Sequence, residues 1–364
     1  MAAASRAAVV VVAIWMAQGG WSGAGAQDTP VDTTVTRAVK RGLDYLKRKQ
    51  TQDGAWRADV GFKLNERYQR TLSVRQQLRA RGGHVGVSSL AILAFLAGGH
   101  VPGRGPYGEV IESGVRYVLS CVNPEDGYIS QNGTRMYSHA FATLCLAEIY
   151  GMTHQADLRE KLQDAVDLIV KSQNKTGSWR YLPFASDSDM SITVCQVQSL
   201  RAARNVGLRV PRSTIDRAID YIKDSAIGEG PEKGAFKYQA KTITRSSFPL
   251  TAAGITALYG AGVYDDDAIK RGLDYLVRNH EHLGEHYRNH YFYYYGHYYA
   301  VQAMFIAGGG YWTDYYPKIR RELLQRQDAD GSWNNETGPG RAFGTAVACI
   351  ILQIPKRYLP IFQR

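Results

Sequence analysis

The sequence predicts an all-α protein in which six helix pairs close into an (α/α)6 barrel, a toroid. Three observations predict it. A segment with aliphatics at helical spacing recurs along the chain, and its fullest copies end in Gln-x-x-x-Gly-x-Trp. Each copy precedes a second segment that is apolar on nearly every side, with Ser or Thr near its start and Gly at its end. An open array would leave those apolar helices wet, whereas a closed ring covers them.

Taken in order, the N-terminus reads as an export signal. Arg6 is the basic start, Ala7 to Ala17 the apolar stretch, and Ala24-Gly25-Ala26 the small-residue cleavage site. An apolar run that short does not span a bilayer, which takes about twenty residues. Residues 1–26 are therefore expected to be removed, leaving residues 27–364 as one toroid domain that is periplasmic or extracellular. The first amphipathic copy runs from Arg41 to Gln50 and on through Gly54 and Trp56. Another ends in Gln173, Gly177 and Trp179, and the last in Gln327, Gly331 and Trp333. Degenerate copies lie at Gly114–Tyr117, Ala218–Tyr221 and Gly272–Tyr275. The apolar partners begin near Ser88, Ser138, Ser191, Thr251, His297 and Thr345, where a hydroxyl suits a helix start and a closing glycine a left-handed cap.

Composition narrows the class. An apolar content of 45% excludes a disordered chain, and four cysteines without Cys-x-x-Cys spacing exclude a disulfide scaffold. Cys145, Cys195 and Cys349 sit in apolar helical stretches, where free buried thiols are the default. The net charge is +11, and removing the leader takes away Arg6 and no acid, leaving +10. That balance suits an acidic polymer or an anionic membrane surface, and export argues against nucleic acid. The densest basic run, Lys63 to Arg81, is most simply a solvated helix face. Tyrosines outnumber phenylalanines 24 to 10, which points to a wet cavity or interface more than a dry core.

The Gln-x-x-x-Gly-x-Trp copies resemble the QW repeat of squalene–hopene and oxidosqualene cyclases. Nearly all of residues 27–364 resembles the prenyltransferase/squalene cyclase α/α-toroid superfamily. The resemblance implies a terpenoid cyclase-like or prenyltransferase-like ring that binds, and as an isomerase cyclises, an isoprenoid-type lipid, with no cofactor. It also implies that the glutamine joins outer helices, the glycine makes the turn and the tryptophan covers the joint. This chain departs from its relatives in having one ring where full triterpene cyclases have two. It lacks the Asp-x-Cys of the zinc-bearing prenyltransferase β subunits and the Cys-Gly-Glu-Gln of thioester domains.

Candidate site residues follow from that frame. Asp187 and Asp189 lie just before the third apolar helix, where the resemblance sets Asp189 on the proton-donating Asp of the cyclases' Asp-x-Asp-Asp, with Met190 in the last place. A proton donor needs burial or a like charge beside it, and Asp187 supplies one. The plainer reading of Asp189 is an N-cap, a role that Asn fills about as well. His139, alone at a helix start, is a candidate base or a satisfied core histidine. The run Tyr291-Phe292-Tyr293-Tyr294-Tyr295-Gly296-His297-Tyr298-Tyr299 offers aromatic faces for a cation, a sugar or an apolar chain, with Tyr291, Tyr293, Tyr294, Tyr295, His297 and Tyr298 as binding candidates. Leu90, Phe95, Leu144, Met304 and Phe305 are expected to form an apolar floor beneath them. His280, His282, His286 and His290 could share a helix face, but Gly284 interrupts it, and no metal site is expected. A sugar-binding or polysaccharide-active (α/α)6 barrel is the alternative reading, and a protein-binding scaffold the third.

Overall fold

The structure, a computed structural model, describes residues 32–58, 82–131, 134–240, 242, 245–283, 285–335 and 338–363. Residues 1–26, expected to form an export signal, lie outside the described residues, as do Lys63 to Arg81, Gly284 and the side chains of His282 and His286. Among the described residues there is no strand, and twelve principal helices alternate between two layers. None is long and apolar enough to cross a membrane.

The outer helices are α1 (Thr33–Lys49), α3 (Gly108–Ser120), α5 (Ala156–Lys171), α7 (Arg212–Asp224), α9 (Asp267–His282) and α11 (Gly309–Gln325). The inner ones are α2 (Val85–Leu96), α4 (Met136–Thr153), α6 (Met190–Asn205), α8 (Phe248–Gly260), α10 (Tyr293–Ala307) and α12 (Arg341–Gln353). The layers follow from patterning. Outer α1 buries one stripe, Val35, Ala38, Val39, Gly42, Leu43, Tyr45 and Leu46, while every residue of inner α2 is buried. Each inner helix packs on the next, and α12 packs back on α2, so the inner ring closes. The outer layer closes as well, through contacts of α11 with α1.

The recurring Gln, Gly and Trp build the joints of this ring. The side-chain amide of Gln50 donates to the carbonyls of Gly54 and, on the next outer helix, Val110, at 3.0 and 2.8 Å. Gln173 does the same to Gly177 and Thr214, at 3.0 and 2.9 Å. Gln327 reaches Gly331 and Ala38, at 3.0 and 2.8 Å, tying the end of the chain to its beginning. Gly54, Gly177 and Gly331 take φ of +87°, +84° and +91°. A Cβ there would stand 2.2, 2.2 and 2.5 Å from the carbonyl oxygens of Ser113, Arg217 and Arg41 on the neighbouring outer helix. Only glycine fits both demands. The indoles of Trp56, Trp179 and Trp333, all buried, donate to Leu46, Ile169 and Leu323 of their own outer helices.

One detail differs from expectation. In the three full copies a hydroxyl near the inner-helix start accepts the tryptophan's backbone N–H instead of capping the helix, as Ser88, Thr193 and Thr345 do for Trp56, Trp179 and Trp333. In the fourth copy Thr251 serves Phe236 at 3.0 Å. The second and third positions are thus filled by His139 and Thr193, not Ser138 and Ser191. The helices begin at Met136 and Met190, and only the residue three further on turns back toward the joint.

The far end of the ring, where the inner helices stop, is covered by the C-terminal segment. Leu359, Ile361 and Phe362 are buried, Phe362 lies 6.4 Å from the ring of Tyr298, and Arg201 donates to the carbonyl of Gln363 at 2.5 Å.

Candidate functional site

The opposite end, where the inner helices start, gathers the polar chemistry. Asp189 caps α6: its Oδ1 accepts from the N–H of Ser191 and Ile192, at 2.9 and 3.3 Å, and from the Ser191 hydroxyl at 2.5 Å. Its Oδ2 accepts from Arg180 at 3.2 Å and from the hydroxyl of Tyr238. The carboxylate is fully buried, and Arg180 keeps 24% of its side-chain surface exposed. Burial alone would lower the Arg180 pKa, but Tyr238, Asp189 and Tyr181 beside it raise it. The Tyr238 phenol is pushed up by burial and by the Asp189 charge, so it remains a donor. Tyr181 and Tyr238 share a hydrogen bond of 2.9 Å between hydroxyls, and Tyr137 donates to Ser191 at 2.6 Å. The Tyr181 carbonyl accepts from the N–H of Met136, which fixes the 180–188 loop over the start of α4. At the tip of that loop Leu182 and Phe184 are 58% and 65% exposed.

The interior below is lined by polar groups. Gln198 donates to Gln302 at 2.7 Å, linking α6 to α10 across the ring, since α8 stands between them on the wall. Cys195 and the Tyr299 hydroxyl meet at 3.1 Å along the same line. Phe141 of α4 lies edge-on to Tyr298 of α10, 6.0 Å between centroids. The amide oxygens of Gln196 and Gln198 and the hydroxyls of Tyr295 and Tyr298 are buried without a hydrogen-bond partner. An unmet buried polar group costs about 1–3 kcal/mol. Of these, Gln198 of α6 and Tyr295 and Tyr298 of α10 lie on facing inner helices and are suited to water or a polar ligand, whereas Gln196 donates to the Met136 carbonyl of the neighbouring α4.

The candidates read from sequence separate by direction. Asp189, Tyr295 and Tyr298 face the mouth or the ring interior. Asp187 is exposed beside the mouth, its carbonyl accepting from Asn174 at 2.8 Å. Tyr293 donates to Glu322 of α11 at 2.9 Å and His297 meets the Tyr315 hydroxyl at 2.7 Å, so both point to the outer layer, while Tyr294 donates to the Asn334 carbonyl at 3.1 Å in the loop before α12. Tyr291 lies half-exposed against Phe292, ahead of α10. A helix turns about 100° per residue, so consecutive aromatics cannot share one face. His139 has both ring nitrogens engaged: Nδ1 accepts from Ile129 N–H at 3.0 Å, and Nε2 meets the Ala165 carbonyl at 3.1 Å. Burial pushes its pKa down to about 4, so it stays neutral at the joint.

Two of the five residues expected in the apolar floor lie between the layers instead: Phe95 packs between Trp56 and Tyr107, at 6.3 and 5.1 Å, and Phe305 meets Trp312 edge-on at 5.0 Å. The four cysteines are free and buried, and no cluster of metal ligands occurs among the described residues. The sequence reading missed Arg180, Tyr181 and Tyr238. Their signal was weak, because they lie in loops without periodicity and Tyr238 comes from the following repeat.

Solved structures share this architecture. The fold is an α/α toroid. A cellobiose 2-epimerase from Bacillus thermoamylovorans superposes with a TM-score of 0.63 at 14% identity, over 89% of this chain and 99% of that one. An α-1,6-mannanase from a Salegentibacter species gives 0.61 at 9%, over 89% and 99%. A type II terpene cyclase from Scytonema gives 0.60 at 11%, over 90% and 99%. At such identities the likeness is one of fold alone. No protein-family model and no curated protein matches the sequence.

Proposed function

We propose that this toroid binds a carbohydrate at the helix-start end of its ring, and that it does so outside the cytoplasm after removal of residues 1–26. The observation that carries the reading is the polar interior. Buried oxygens of Gln198, Tyr295 and Tyr298 lack partners beneath a mouth of half-exposed tyrosines, Tyr137, Tyr181 and Tyr238. A sugar presents hydroxyls for such groups and apolar C–H faces for the rings. A hydrocarbon chain would leave the same oxygens unsatisfied.

Asp189 serves this site as an anchor. Its two oxygens hold the α6 start, Arg180 and Tyr238, so it fixes the tyrosines rather than waiting free for a proton transfer. The proposed function is accordingly binding. The test is calorimetric titration of the mature chain with a panel of neutral and acidic oligosaccharides and with a squalene-like amine. Saccharide binding that weakens at least tenfold in Tyr181→Ala and in Gln198→Leu supports the reading. Binding of the amine alone overturns it in favour of an isoprenoid-type ligand.

A further inference from the structure

The mouth holds more positive charge than its own fold uses. Tyr181 carries the guanidinium of Arg180 at 4.7 Å from its ring centroid and that of Arg135 at 5.8 Å. Tyr238 carries Arg245 at 4.8 Å and Arg180 at 5.8 Å. With the two hydroxyls bonded to each other, three guanidiniums sit on one pair of linked rings. Arg180 is committed to Asp189, the Ser188 carbonyl and Tyr238. Arg135 and Arg245 are exposed, and neither makes an ion pair among the described residues.

Their placement differs from that of ordinary surface arginines. A guanidinium laid on an aromatic face is held in orientation and keeps its in-plane N–H donors for a further partner. The acids in this loop are Asp189, which is neutralised by Arg180, and the exposed Asp187. The α6 start is met by the Asp189 carboxylate, whereas the first turn of α4, which opens onto the mouth, has no acidic residue and no side-chain cap, so the positive end of α4 adds to the field. Elsewhere on the surface exposed arginines do stand beside acids, as in Arg116 with Glu112 on α3 and the loop residue Arg209 with Asp167 of α5.

We infer that the ligand of this mouth is an acidic glycan of the uronic-acid class, whose carboxylate is received by Arg135 and Arg245 on the faces of Tyr181 and Tyr238. A carboxylate takes two N–H bonds from one guanidinium. The inference rests on the carbohydrate reading and specifies its substrate class.

The experiment titrates the mature chain with uronic-acid oligosaccharides, each paired with its carboxyl-reduced neutral form, and with dextran sulfate as a generic polyanion. The acidic member should bind at least tenfold more tightly than its neutral twin. Arg135→Gln/Arg245→Gln should abolish that preference with the melting temperature unchanged, because both side chains are exposed. Arg116→Gln/Arg209→Gln, which removes the same charge elsewhere, should keep it. Equal affinity for acidic and neutral twins overturns the inference and leaves the carbohydrate reading standing. Equal loss in both double variants, or dextran sulfate binding as tightly as the uronates, reduces the effect to net charge and also overturns it. Failure of every saccharide while the squalene-like amine binds removes both readings.

Discussion

Replacing Gly177 by Ala isolates what the joints contribute. Gly177 has φ of +84°, and an added Cβ would lie 2.2 Å from the Arg217 carbonyl oxygen of the next outer helix. Gly207, at φ +80°, has nothing within 4 Å of the same position. Both substitutions incur the left-handed penalty of an L side chain, about 1–2 kcal/mol. Both also gain the same few tenths to 1 kcal/mol from a less flexible unfolded chain, so that gain cancels in the comparison. Gly177→Ala must in addition move α7 away from the turn. That breaks the bond from Gln173 to Thr214, at about 1 kcal/mol. The expected cost is about 2 kcal/mol at Gly177 against about 1 kcal/mol at Gly207. Urea unfolding followed by far-ultraviolet circular dichroism measures both. Equal costs at the two sites would refute the argument that close approach of backbones, and not turn geometry alone, selects glycine at the joint.

Two further predictions concern buried carboxyl groups. Asp189→Asn keeps the cap at Oδ1 but removes the charge that holds Arg180, so it should cost about 2 kcal/mol, with Asp189→Ala about 1 kcal/mol worse. Thermal melts that place Asn level with wild type would reduce Asp189 to a simple cap. Glu148, on α4 near the C-terminal segment, has its pKa raised by burial to about 7, opposed by the Ile361 N–H and by Arg201. A carboxyl whose folded pKa lies above its unfolded value contributes stability that is full below about pH 4.5 and is lost as pH rises toward 7. Glu148→Gln should therefore be more stable than wild type at pH 8 by roughly 3 kcal/mol and about equal to it at pH 4.5. A difference that does not change with pH would mean that the group is solvated.

Much of the ring was legible in the chain because its determinants are local. Helix amphipathicity sets the layer, and a Gln, Gly and Trp at fixed spacing set the joint. A repeat that cannot bury its apolar face alone must stack on its neighbours. The same spacing located Trp56, Trp179 and Trp333 without reference to distant residues. Asp189 as a cap was legible for a similar reason, since a cap bonds within three residues of itself.

What the tertiary structure alone decided is which way individual side chains point and whom they meet. Tyr293 and Tyr295 differ by about 200° in helical phase, and the first bonds Glu322 of outer α11 while the hydroxyl of the second is buried on the ring side. The helix's rotation about its axis fixes that difference, and packing against α11 and α12 fixes the rotation. His139 looked like a lone polar group until the joint showed it standing where other repeats carry a hydroxyl. The mouth itself joins Arg180 and Tyr181 to Tyr238 and Arg245, more than fifty residues apart in sequence. No local pattern records that meeting, because ring closure brings together the loops of successive repeats.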